Sequence, residues 1–198
     1  GTYTVRVANN TTPAECNGNG FSQTACGFVV EFVDVIVTNV KMDTRLVPSI
    51  YGSNKGGWPL TPVRSMLQNG IFNALPTDLK GVILDTYTVS GNGGLDETNF
   101  ITTDKLYLLS SREVFGNLLN TDNSSSMTRQ LDYYKKKNVS ESNVTGAIKQ
   151  YNNSNTSWWL RSADNDITFN FHSVSLTGYP MSNNATRPQG VSPAFRVG

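Results

Sequence analysis

Apolar and polar positions alternate from the first residues of the chain, where Tyr3, Val5 and Val7 share one face of a predicted strand. A second β-prone run spans Phe28 to Val40. Phe28, Val30 and Phe32 alternate, the phase slips near Val33, and a bulge or turn around Asp34 is expected. The period then lengthens. Val63, Met66, Leu67 and Ile71 form a stripe at helical spacing, with Thr61 as predicted N-cap and Pro62 in the first turn. Gly70 interrupts that stripe and predicts an early end or a tight helix contact. Thr77 is expected to cap a second short helix and Ser111 a third. Between them, strands are predicted over 82–91 and 103–110, separated by a Gly/Asn-rich loop from Gly91 to Asn99. The stretch 120–155 is polar, with a helical piece from Met127 to Lys136 and otherwise surface loop.

The last third reads as three strands, "SWWLRSA", "ITFNFHSVSLTGY" and "GVSPAFRVG". In the second, Ile167, Phe169 and Phe171 have one parity, and Val174 and Leu176 the other. A kink at His172–Ser173 would let all five act as buried pins. A strand at each end, helices early and short strands late predict one α+β domain over residues 1–198. Short helices should flank a small antiparallel sheet in which the N- and C-terminal strands pair.

Composition narrows the function. Only 16% of the 198 residues are charged, and Asn, Ser, Thr and Gly abound, as on an extracellular surface. Net charge is +1, which gives no pull toward nucleic acid or an anionic membrane. The one basic run, Lys135 to Lys137, is read as a solvated helix end. No apolar run approaches the ~20 residues of a membrane span, so no membrane insertion by this domain is expected. The opening "GTYTVRV" is a strand and no signal peptide, so if secreted the chain is a mature or excised piece. Cys16 and Cys26 close a short Gly-rich loop and are predicted to form a disulfide, as in a secreted domain.

Catalytic patterns are missing: no Gly-x-Ser-x-Gly, no phosphate-binding Gly-rich loop, no His-Glu-x-x-His. The single histidine, His172, lies on a predicted strand, where a contact role is expected over a base or ligand. Asp164, Asn165 and Asp166 are oxygen donors of the kind calcium takes, but the pattern is unspecific, so neither metal nor cofactor is assigned. The chemistry points to binding. Between the framework-like "SWWLRSA" and "GVSPAFRVG", residues 164–189 mix rings, amides, hydroxyls and glycine in the proportions of a paratope.

"GGW", "VRSMLQNGIFNALPTDLKGVI", "TDKLYLLSSREVFG", "SWWLRSA" and "GVSPAFRVG", from about Gly27 to the end, together resemble a bacterial secreted domain family with the C-type-lectin-like fold. That family is similar to the variable proteins of diversity-generating retroelements and, more distantly, to formylglycine-generating enzymes. The resemblance implies a constant scaffold holding Trp158, Trp159, Leu160, Arg161 and Phe195 inside, and a C-terminal segment, about 164–189, diversified by adenine-directed mutagenesis. The implied ligand-binding residues are Asp164, Asn165, Asp166, Thr168, Asn170, His172, Ser173, Ser175, Thr177, Tyr179, Asn183, Asn184 and Thr186, with Tyr179 and His172 as anchors. The implied partner is a protein or glycan on another cell or virion, met at a cell surface or on a phage particle. The copper-site cysteines of the formylglycine-generating enzymes lie in their C-terminal half. Both cysteines here are N-terminal, so that activity is not carried over. Nor are the calcium-dependent sugar motifs of animal lectins present. A fixed carbohydrate-binding adhesin, or a structural module of a surface protein or pilus, is the alternative.

Overall fold

The computed structural model describes residues 2–45, 51–116 and 122–198. Strand β1 (Val5–Asn9) pairs antiparallel with β2 (Val29–Phe32), and β2 pairs on its other side with the last strand, β12 (Ala194–Arg196). The terminal strands therefore share a three-stranded sheet but do not pair with each other, because the fully buried β2 lies between them. Tyr3, Val5 and Val7 face outward at 44–56% exposure. β1 is the sheet edge, and Arg6 takes the inward position to meet Glu31 at 2.8 Å. Between β1 and β2, Cys16 and Cys26 are bridged, both buried.

The expected break at Asp34 carries the chain from one sheet to another. Val35 is buried there and donates its N–H to Gln150, and Ile36 donates to Val191. β3 (Val37–Val40) then forms one edge of a five-stranded sheet, ordered β10-β9-β8-β11-β3.

Thr61 caps α1 (Pro62–Ser65) by accepting from the Arg64 N–H, with Pro62 in the first turn. The helix runs on through a π-helical turn (Met66–Ile71) into α2 (Phe72–Ala74). Val63 and Leu67 are buried, and Met66 and Ile71 pack against the core at its margin. Gly70 neither ends this helix nor makes a tight contact, since a Cβ there would meet nothing within 4 Å. In α3 (Thr77–Val82) Thr77 is the first helical residue and Pro76, already extended, holds the cap position.

β4 (Thr86–Gly93) and β5 (Asp96–Asp104) form a long hairpin, so most of the expected 91–99 loop is strand. β5 is exposed along nearly its whole length and has no apolar alternation to reveal it. Of the expected strand at 103–110, Thr103 and Asp104 end β5, and the rest is a segment that bridges to another strand only at Tyr107. Leu106 to Leu109 are buried, and Tyr107 exchanges two backbone hydrogen bonds with Ala194. α4 (Ser111–Phe115) is capped by Ser110, one residue earlier than expected, in a reciprocal box with Glu113. α5 (Asp132–Lys136) is shorter than the predicted Met127–Lys136 piece, and its end exposes Lys135 to Lys137. A hairpin, β6 (Lys149–Tyr151) and β7 (Ser154–Thr156), turns through Asn152 and Asn153, both at positive φ. The remaining strands are β8 (Trp158–Ala163), β9 (Asn170–Val174), β10 (Pro180–Asn184) and β11 (Gln189–Val191).

The buried hydrophobic side chains form one cluster reaching from Ala8 to Phe195, in a mixed α+β architecture. A buried ionic group ties the first sheet to β6: Lys149 donates to Glu31 at 2.8 Å and to the Phe32 carbonyl, and Tyr134 donates to Glu31 at 2.9 Å. Burial pushes the Lys149 ammonium down to about 8 against the opposing pull of Glu31. No helix among the described residues is long and apolar enough to cross a membrane.

Candidate functional site

The site begins with β8, in which all six residues are buried. Trp158 Nε1 donates to the Ala147 carbonyl at 3.1 Å and Trp159 Nε1 to the Val40 carbonyl at 2.8 Å. Arg161 uses its whole donor fork. Two bonds of 2.6 Å go to the two oxygens of Glu113, and others reach the Leu108 and Val89 carbonyls and the Thr24 hydroxyl. Burial alone would lower the guanidinium's proton affinity, but Glu113 outweighs it and holds Arg161 above its ordinary value. Ser162 donates to Asp122, which also accepts from Ser111.

β8 leads β9 in register. Trp158 faces Val174 and Trp159 faces Ser173, but Ala163 faces Phe171, so four residues of β8 span two of β9. The bulge therefore lies on β8, between Trp159 and Ala163, and not at His172–Ser173. Arg161 N–H there leaves the ladder for the Leu109 carbonyl. β9 itself is regular, and it pairs with β10 without a register break.

Two turns bound this β9–β10 hairpin. In the turn that enters it, Asp164 Oδ1 accepts from the N–H groups of Asp166 and Ile167, and its Oδ2 accepts from the Ser182 hydroxyl. Asn54, fully buried, braces the same turn. Its Nδ2 lies 2.6–2.8 Å from the carbonyls of Asp164, Ile167 and Asn170, and its Oδ1 accepts from the Gly94 N–H. Tyr51 stacks near Phe169, with ring centroids 5.3 Å apart. In the turn between β9 and β10, Gly178 is required: its φ is +92°, and a Cβ would fall 2.4 Å from the Val144 carbonyl oxygen.

The expected ligand-binding residues divide by burial. Asp166, Thr177 and Tyr179 are exposed, and Asn165, Thr168, Ser175, Asn183, Asn184 and Thr186 are half-buried. All nine lie on the turns and the outer strand. Asp164, Asn170, His172 and Ser173 are buried and offer no contact face. Asp164 and Asn170 organise the hairpin, Asn170 Nδ2 donating to Ser182, while Ser173 accepts from Asn183. His172, an expected anchor, is 1% exposed. Its imidazole sits 4.0 Å from Asp164, and burial holds its pKa below 6.5 despite the upward pull of Asp122 and Asp164. Of the expected pins, Phe171 and Val174 are buried and Phe169 partly so, but Ile167 and Leu176 point to solvent, each in a turn.

Sequence reasoning missed Asn54, whose only signal was its place in the Gly-rich "YGSNKGGW". It also missed the exposed Met181, Ser182 and Arg187, because β10 carries no alternation that marks a strand. Among the described residues no cluster of three or more His, Cys, Asp or Glu side chains could hold a metal ion.

No curated protein and no solved structure gives a significant match to the chain. Residues 39–198, from within β3 to the end and so including the whole site, match a family described as Domain of unknown function (DUF6273), and the chain belongs to that family.

Proposed function

We propose that this chain is a non-catalytic, surface-displayed ligand-binding domain with the C-type-lectin-like fold, whose C-terminal segment is diversified by a retroelement. The observation that carries the reading is the position of the mixed-chemistry segment. Its exposed side chains stand on an edge hairpin and its turns, outside a frame in which β8 and Phe195 are buried. Substitution at such positions costs within about ±0.5 kcal/mol, so the surface can change while the core does not. The two larger sheets, the first holding both terminal strands, together with short helices, are in keeping with the C-type-lectin-like fold. The chain's one imidazole is enclosed and held neutral, which favours a binder over acid–base chemistry. The ligand is a protein or glycan on another cell or virion, met outside the cell.

Sequencing the source locus tests diversification. A near-repeat template copy and a neighbouring reverse transcriptase are expected, with sibling differences confined to about 164–189; their absence would sink the claim. Binding is tested on glycan and cell-surface protein arrays with the intact chain. A ligand lost on Tyr179→Ala or Thr177→Ala, with melting temperature unchanged, supports the reading. A ligand indifferent to every exposed change in 164–189 refutes it.

A further inference from the structure

A depression of about 100 Å³ opens between β10, the turn that follows β9, Ser157 and the first residue of β11. Leu176 and Met181, both exposed, form its apolar wall, and Ser175, Asn183, Arg187 and Gln189 supply its polar groups. Two of these groups keep bonding capacity to spare. Gln189 is 4% exposed, yet its buried Nε2 makes no hydrogen bond with the protein. A buried amide donor without a partner calls for an explanation, and here it lines a depression from which a water or a ligand oxygen could complete its bonding. Arg187 is the only charged residue lining the depression. Its Nη1 donates to Asn183 Oδ1 at 3.1 Å, and among the described residues no carboxylate pairs with it. Asn183 is itself fixed, because its Nδ2 donates to Ser173 at 2.8 Å. A fixed amide thus orients a guanidinium that has no carboxylate partner among the described residues, and the same depression holds an unused N–H donor.

We infer that this depression is a subsite for a single carboxylate borne on a sugar ring, a terminal acidic saccharide of the sialic or uronic type. The inference rests on the binding-surface reading above and names its ligand class. Arg187 would take the carboxylate in a forked pair and Gln189 Nε2 one further oxygen. The apolar wall and the exposed Tyr179 ring, in the adjoining turn, suit the C–H faces of a pyranose. An acidic peptide or other polyanion presents many charges and needs several cations. Arg187 is the only basic residue in 164–189, so one rigid ring with one charge fits better.

The test is a glycan array probed with the intact chain. It carries oligosaccharides ending in sialic or glucuronic acid, the same glycans as carboxyl methyl esters, and their neutral counterparts, with an Asp/Glu-rich peptide as competitor. The chain should bind the free acids. Esterification, Arg187→Met and Gln189→Glu should each weaken binding at least tenfold, the last by setting a second carboxylate against the first. Arg187 is exposed, so its variant remains informative if Gln189→Glu folds poorly; melting curves check both. Failure to bind any acidic sugar, binding indifferent to esterification or to Arg187→Met, or equal displacement by the peptide would overturn the subsite. A ligand lost on Tyr179→Ala yet untouched by Arg187→Met would overturn the subsite alone and leave the binding surface standing.

Discussion

β8 and β10 flank the same strand, β9, and could hardly differ more. Every residue of β8 is buried, and no residue of β10 is. The side chains of β8 bond to carbonyls and carboxylates far along the chain, at Val40, Leu108, Glu113 and Ala147. Among the described residues, those of β10 and its turn bond only to one another or to β9 and its entry turn, as Asn183 does to Ser173, Arg187 to Asn183 and Ser182 to Asp164. A side chain with remote partners cannot change without leaving them unsatisfied. One with local partners, or none, can. The boundary between frame and display therefore runs along β9, and its buried residues belong to the frame.

The largest way to break this contrast is through Arg161. Replacing it with Met leaves the Glu113 carboxylate buried, with its other donors but no countercharge. Loss of one partner of a buried ion pair costs about 3–5 kcal/mol, which is most of a small domain's stability. Arg161→Met should yield little folded protein in a denaturant titration. Arg161→Met combined with Glu113→Gln should recover part of the loss, because the charge goes with its partner. If both behave alike, the pair does not hold β8.

The disulfide comes next. Removing Cys16–Cys26 as a double Ser variant frees a loop closed across a sequence separation of 10. Loop-closure entropy puts the loss at about 3 kcal/mol. The loss should appear as a lower denaturation midpoint, with ligand binding intact, since the loop lies outside the hairpin.

Asn54 sits on the boundary itself. Asn54→Ala removes the partner of the Asp164 carbonyl and of the Gly94 N–H, and leaves the Ile167 and Asn170 carbonyls with only their backbone donors, the N–H groups of Asn170 and Asp164. Some of these groups can reach water, so about 2 kcal/mol is expected. The sharper readout is hydrogen exchange, which should rise in 164–170 and leave β8 protected. Uniform acceleration would mean that turn and frame open as one unit.

These residues also mark what the sequence could and could not disclose. Thr61–Pro62, the two tryptophans, Arg161 and the cysteine pair were legible, because cap chemistry, large rings and a short Cys loop act locally or admit few alternatives. The inward role of Arg6 was not, since it depends on Glu31 and Tyr134 across two other elements. The strand β5 was hidden because it is exposed on both faces and carries no period. At the site, the mixed composition of 164–189 was visible, but its division into buried and exposed members was not. That division follows from β9 lying inside the sheet and β10 at its edge, a strand order no local pattern encodes.

His172 tests the division by pH. Its folded-state pKa lies below 6.5, with burial as the largest cause and Asp122 and Asp164 opposing it. The unfolded chain takes up the proton near 6.5 and the folded chain only lower. Between those values the unfolded state binds more protons, so stability falls as pH drops below 6.5. Glu31, also held below its usual range, loses its contribution only under pH 4.5, which keeps the windows apart. Melting temperature measured from pH 7.5 to 5 should decline, and His172→Gln should flatten that decline. An equal slope in both would mean that His172 is solvated and belongs to the display after all.

The smallest expected effect on stability is the most informative about function. Thr177, Tyr179 and Met181 stand on the outer turn and strand, and all three side chains are exposed. Thr177→Ala, Tyr179→Ala and Met181→Ser should each move unfolding free energy by about 0.5 kcal/mol or less. Because the sites lie on one short hairpin, the triple variant also tests additivity: it should stay within about 1.5 kcal/mol of the parent. Loss of a bound ligand with stability held is what separates display from frame. A triple variant that unfolds would place β10 in the frame, and the boundary drawn along β9 would have to move outward to the edge of the sheet.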